Sequence, residues 1–236
     1  MSAVLEVRGL VAGYGPVKVV RHLDLDVDAG QVLAVLGPNG AGKTTVMTTL
    51  VGLLPRLGGE VRVDGHPLHS GRPAAASRAG VVLVPEDRAL FTTLTVRENL
   101  EAARRKGCPP ARAMIELFPA LESRWNLSAG ALSGGEQQML AVARAVIQQP
   151  HVLLIDEMSM GLAPVIVESL LPIVRHIADS TGAVVVLVEQ HVHLALEVAD
   201  HALVLVHGNI TLSGPAETLT GQPDRLEAAY LGAGAA

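Results

Sequence analysis

The chain has a single cysteine, Cys108, among 236 residues. That excludes an intrachain disulfide and a zinc site of four thiolates, and in the run KGCPPAR it reads as a loop thiol. Aromatic side chains are nearly missing, at 2% of the chain: Tyr14, Phe91, Phe118, Trp125 and Tyr230. Hydrophobic residues still make up 49%, so a core must be built of Val, Leu, Ile and Ala. There is no excess of positive charge either. The 18 basic and 23 acidic residues give a net charge of −5, which argues against a general nucleic-acid binder, whose affinity comes from neutralising phosphates. No stretch approaches the roughly 20 apolar residues needed to span a bilayer. The opening MSAVLEVRGL lacks the basic-then-apolar plan of a secretory signal. A cytoplasmic protein is expected, able to dock peripherally on the cytoplasmic face of the cell membrane.

The length suits one domain with a subdomain set into it. VLEVRGL and VVRHLDLDVDAG alternate apolar and charged residues as half-exposed strands do. QVLAVLG is a continuous apolar run, the mark of a strand buried on both faces. A helix is expected over 43–54, then short strands at GEVRVDG and GVVLVP. From 87 the pattern turns helical, in TVRENLEAARR and PPARAMIELFPAL, which predicts an inserted helical subdomain at about 87–149 within a single domain of 1–236. Beyond it helix and buried strand alternate: helix 135–149, HVLLID, helix 165–180, AVVVLV, helix 191–199, HALVLVHG. Such alternation makes a mainly parallel sheet covered by helices, an α/β fold. The closing GAGAA is expected to fray.

GPNGAGKTT, residues 37–45, fits G-x-x-x-x-G-K-[ST] between a buried strand and a helix, the context that phosphate-loop chemistry requires. In Gly37, Pro38, Asn39, Gly40, Ala41, Gly42, Lys43, Thr44 and Thr45, the glycines let successive N–H groups approach phosphate oxygens. The helix N-terminus adds partial positive charge. Lys43 would reach the β- and γ-phosphates and the Thr44 hydroxyl would bind Mg²⁺. Asp156 and Glu157 end the buried run HVLLIDE, where ligands of open α/β sheets bind. Asp156 suits a Mg²⁺ role through water, and Glu157 suits a general base for an attacking water. Past the run AVVVLV, Gln190, His191 and His193 stand at a second strand end.

LSGGEQQ, residues 132–138, resembles the signature motif of ABC ATPases, and the phosphate loop and acid pair around it make the resemblance specific. It implies a P-loop ABC ATPase domain with an antiparallel N-terminal β-subdomain. It also implies that Leu132, Ser133, Gly134, Gly135 and Glu136 close over ATP held by a second ATPase subunit, identical or homologous, in a head-to-tail dimer. Carried over residue by residue, Tyr14 matches the aromatic that stacks on adenine. Glu86 stands where a glutamine is usual and joins Thr44 and Asp156 around Mg²⁺. Ala163 stands where aspartate is usual, and Met158 where proline is common. The switch histidine falls on Gln190, with His191 as rival through a one-residue shift. VPE, EQQML, GLAP, LVEQ and the closing AAYLG are similar to the ATP-binding subunits of branched-chain amino acid importers, a pattern shared by urea and amide importers. Two transmembrane permease subunits are then implied, and indirectly an extracytoplasmic solute-binding protein. Phe91 and Leu94 are candidates for the permease contact. The chain has neither the two ATPase copies of translation factors nor the long coiled-coil insertion of DNA-repair relatives, and it lacks the N-K-x-D motif of GTPases.

Overall fold

A computed structural model describes residues 4–231, so the closing GAGAA at 232–236 lies outside the described residues. The alternating N-terminal stretch forms β1 (Leu5–Tyr14), β2 (Val17–Val20) and β3 (Leu25–Val27). The expected strand over 19–30 is thus two shorter ones, both antiparallel to β1. QVLAVLG becomes β4 (Val32–Leu36), buried throughout. Helix α1 (Lys43–Leu50) stops four residues short of the expected end, and β5 (Arg56–Val63) then pairs back onto β1. With β6 (His66–Pro67) these strands make one antiparallel sheet.

After α2 (Pro73–Arg78) and β7 (Val81–Val84), the chain is helical with a single isolated bridge between Thr95 and Ser128. Helix α3 (Val96–Ala103) begins at a capping box in which Thr95 and Glu98 satisfy each other's backbone N–H groups. PPARAMIELFPAL gives only a 3₁₀ turn (Ala111–Ala113), the short α4 (Met114–Leu117) and a second 3₁₀ turn from Pro119. Pro119 lacks the N–H that would continue α4. Next come α5 (Gly134–Val146), β8 (Val152–Asp156), α6 (Pro164–Thr181), β9 (Val184–Val188), α7 (Val192–Val198) and β10 (His201–Val206). The chain closes with β11 (Asn209–Pro215), α8 (Ala216–Thr220) and α9 (Pro223–Tyr230), three elements that sequence pattern did not supply.

The second sheet runs β11-β10-β4-β9-β8-β7, parallel except for the β10–β11 hairpin. Each central strand serves two cores, because side chains alternate across a sheet. Val32, Ala34 and Leu36 of β4 pack with the helices α3, α5, α6 and α7, whereas Leu33 and Val35 pack with the antiparallel sheet and α1. The observed fold is therefore the expected α/β arrangement, with a mainly parallel core sheet and an antiparallel β-subdomain. Asp200 fixes the base of β4: its Oδ2 accepts from Val32 N–H at 2.7 Å and from Arg175 of α6 at 2.7 Å. The sheet consequently delivers the ends of β4, β8 and β9 side by side.

Candidate nucleotide-hydrolysis site

The loop from Gly37 to Thr45 leaves β4 and turns straight into α1, and two glycines make that turn possible. Gly37 has φ of 148°, and a Cβ there would lie 2.1 Å from the Leu205 carbonyl oxygen. Gly42, the residue preceding α1, has φ of 107° with the side chains of Val19 and Val20 3.2 Å from where a Cβ would be. The loop edges a cleft of about 320 Å³ lined by Tyr14, Val19, Lys43, Thr44, Glu157 and the loop from Asn39 to Thr45. Tyr14 is 57% exposed at the mouth, so its ring is open to a planar ligand. Lys43 is buried, its Nζ donating to Gly37 O at 2.8 Å and Pro38 O at 3.2 Å and standing 3.6 Å from Glu157 Oε1. Ala41 and Thr45 are buried and face inward, whereas Asn39, Gly40 and Thr44 are exposed.

Asp156 ends β8, 2% exposed. Burial pushes its pKa up to about 6, with the neighbouring Glu157 and Glu86 charges adding to the rise. Thr44 and Lys43 oppose the rise, although no donor of proper geometry reaches Oδ1, which is buried without a partner. A buried carboxylate oxygen without a donor, beside the Thr44 hydroxyl and near Glu86, fits a divalent cation. Among the described residues no group of three or more His, Cys, Asp or Glu side chains is arranged to hold a metal ion. Phosphate oxygens and water would have to complete the coordination of Mg²⁺ here.

Glu157 sits in the left-handed region at φ of 49°, a conformation that costs a non-glycine residue and clusters at active sites. Its N–H is held by Val188 O at 3.0 Å. Gln190 Nε2 donates to Glu157 Oε2 at 2.8 Å and to Asn39 Oδ1 at 3.1 Å. Gln190 therefore joins the acid to the phosphate loop. His191 is the residue preceding α7 and is exposed, and His193 is exposed on α7 beside α9.

No residue of the signature segment lines this cleft. Ser133 caps α5: it accepts from Glu136 N–H at 3.3 Å, and its own N–H donates to Glu136 Oε2 at 2.8 Å. Arg124 donates to the other oxygen of Glu136 at 2.8 Å, and these contacts hold that carboxyl below its ordinary range. Glu136 thus has a local role in its own helix, and Leu132, 6% exposed, is a core side chain. Gly134 and Gly135 provide the free helix start. A Cβ on Gly135 would come within 2.8 Å of Ile166.

Three features escaped sequence reasoning. Gln137 and Gln138 accept from Arg88 at 2.9 Å each, tying the loop after β7 to the signature helix. Glu189, one residue past β9, is buried and accepts from Ser159. Tyr230 Oη accepts from the buried Gly37 N–H at 3.0 Å, although 193 residues separate them. The closing AAYLG was the only signal for that contact.

A glycine-rich loop on a helix N-terminus, with a lysine inside it and acids at the end of β8, one strand beyond β9 in the same sheet, defines a P-loop nucleoside triphosphatase. Residues 20–160 match the family model described as "ABC transporter". The chain is 37% identical over 224 residues to the high-affinity branched-chain amino acid transport ATP-binding protein BraG of Pseudomonas aeruginosa, covering 93% of this chain and 95% of that one. It is 34% identical over 215 residues to the probable branched-chain amino acid transport ATP-binding protein LivF of Archaeoglobus fulgidus, covering 89% and 91%. It is also 31% identical over 246 residues to the lipopolysaccharide export system ATP-binding protein LptB of Escherichia coli, covering 98% of each. The ADP conformation of MJ1267, an ATP-binding cassette of an ABC transporter, shares the fold with TM-score 0.85 at 24% identity, over 98% of this chain and 100% of that one. The chain belongs to the ABC transporter ATP-binding family. It is an ATP-binding subunit that hydrolyses ATP.

Two predictions follow from the buried groups. Between about pH 4 and pH 6 the folded chain keeps a proton on Asp156 that the unfolded chain has lost, so Asp156 makes stability fall as pH rises through that window. The cost above it is about 3 kcal/mol. In chelator and without nucleotide, Asp156→Asn should therefore raise Tm at pH 8 and leave it unchanged at pH 4, as thermal unfolding across pH will show. Tyr230→Phe leaves the buried Gly37 N–H unpaired. ATP titration should then give a Kd raised roughly threefold to tenfold, with kcat within about twofold of the parent.

Proposed function

We propose that this ATPase powers import of branched-chain amino acids through two separate transmembrane permease subunits, working as a head-to-tail dimer with an identical or homologous ATPase subunit. The 37% identity to BraG over 93% of the chain carries the substrate class. In this reading residues 1–236 form one ATPase domain, with a helical subdomain at about 87–149. It works from the cytoplasmic face of the membrane, and among the described residues no helix is long and apolar enough to cross it. A solute-binding protein outside the cell would select the solute, which this chain never touches.

Tyr14 stacks on adenine, the N–H groups of the loop from Asn39 to Thr45 cradle the phosphates, and Lys43 neutralises them. Thr44, with Asp156 through water and Glu86 nearby, would hold Mg²⁺, which would supply charge neutralisation at the β- and γ-phosphates. Ser133, Gly134 and Gly135 of the partner subunit's equivalent segment would close the far side of the γ-phosphate. Support for such pairing comes from the ATP-binding cassette MJ0796, seen as a dimer with ADP and Pi after hydrolysis. Glu157 takes a proton from the attacking water. Gln190, already bonded to Glu157 and Asn39, orients that water or the γ-phosphate by hydrogen bonding. Near Phe91, which stacks against Arg144 with 4.8 Å between guanidinium and ring centre, the exposed aromatic surface suits contact with a permease.

Glu157→Gln should keep ATP binding and slow hydrolysis by about a hundredfold or more. In the native cell, carrying that substitution at its own locus, uptake of labelled leucine, isoleucine and valine should cease. Normal hydrolysis by the variant would remove Glu157 from the chemistry. Lost hydrolysis with unchanged uptake of all three would leave the ATPase mechanism intact and shift the substrate to another small solute, such as urea or an amide.

A further inference from the structure

Glu189 is the buried acid that the proposed mechanism leaves idle. It is 1% exposed, and burial holds its pKa above the ordinary carboxylate value, opposed by Ser159 and by the nearby His191. Burying a carboxylate this deeply is unfavourable unless its lone pairs are filled. Ser159 reaches both oxygens, giving its N–H to Oε1 at 3.1 Å and its hydroxyl to Oε2, and the Gln190 N–H also favours the charged form.

Ser159 lies two residues beyond Glu157, so three ties join the end of β8 to the end of β9. Glu157 N–H reaches Val188 O at 3.0 Å, Ser159 reaches Glu189, and Gln190 reaches Glu157 Oε2 at 2.8 Å. Ties at 157 and 159 bracket the left-handed backbone at Glu157 and stop the strained turn from relaxing. The same loop continues to Met160, 53% exposed, and to Leu162, whose Cδ2 is 3.3 Å from where a Cβ on Gly134 would stand. It therefore links the surface beside the signature helix to the acid. Ala163 adds no carboxylate to this loop, and the one that grips it comes from Glu189, directly after β9.

We propose that Glu189 is a positioning residue for ATP hydrolysis: through Ser159 it holds loop 157–163 so that Glu157 meets Gln190, and it carries movement of that loop on subunit pairing to the same contact. This rests on the reading of Glu157 and Gln190 as the hydrolytic pair.

Single-turnover hydrolysis and ATP titration on the full-length chain test it. Ser159→Ala and Glu189→Ala should each slow hydrolysis about tenfold or more, with Kd for ATP within about twofold. The double variant should be no slower than Glu189→Ala alone, because Glu189→Ala already removes the hydroxyl contact that Ser159→Ala removes. Glu189→Gln, whose amide can still pair with the Ser159 N–H and hydroxyl, should restore most of the rate. In a Gln190→Ala background Ser159→Ala should cost less than about threefold more. Unchanged rates, independent losses that multiply, or rate and affinity falling together with Tm would overturn the proposal. If Glu189→Ala does not fold, Ser159→Ala decides by the same criteria. Normal hydrolysis by Glu157→Gln overturns both readings. Lost hydrolysis there with normal Ser159→Ala overturns the positioning role alone.

Discussion

The site must bring a polyanion up to a pair of carboxylates. Asp156 and Glu157 end the same strand, and a nucleotide bound to the loop at 37–45 would set its phosphates against them. The fold meets that repulsion with fixed positive charge. Lys43 is threaded inside the loop, 3.6 Å from Glu157, and the N-terminus of α1 points into the same cleft. Asp156 carries the remaining conflict as a raised pKa, which a cation and its phosphate ligands would relieve. Stability is thus given up at the acid that ends β8, as often happens where function opposes packing. The strands β7 and β9, which flank β8, keep both acids from moving away.

The surroundings extend from those strand ends. Arg88, in the loop after β7, is held by Gln137 and Gln138 of the signature helix, and Arg144 of that helix reaches back to the Ala89 carbonyl at 2.6 Å. The signature segment and the loop beside Asp156 therefore form one hydrogen-bonded unit, and Phe91 packs on its edge against Arg144. On the other side, Tyr230 of α9 holds Gly37, so the last helix braces the first residue of the phosphate loop.

Local chemistry made part of this legible from sequence. The phosphate loop announces itself because a tight turn demands glycine, and the buried strands because both their faces are apolar. Tyr14, Lys43, Thr44 and Glu157 line one cleft for that reason, with Asp156 buried beside Thr44. Contacts set by tertiary distance left no pattern. Nothing in the run VVVLVEQH says that Glu189 turns inward to Ser159 while Gln190 turns outward to Glu157. The strand period assigns opposite faces to neighbours but not which face holds a partner. Likewise β11, α8 and α9 are short and mixed in character, and their burial comes from β10 and α7 rather than from their own periodicity. Helix α4 failed for a local reason that could have been read, the proline at 119.

The choice between Gln190 and His191 bears on the central claim, that the ends of β8 and β9 assemble one hydrolytic contact. Single-turnover ATP hydrolysis by Gln190→Ala and His191→Ala, measured side by side at saturating ATP, addresses it directly. Gln190 bonds Glu157 and Asn39, so its loss should slow the chemical step by about tenfold or more while His191→Ala stays within about threefold. The reverse ranking would move the contact one residue along the chain and contradict the account.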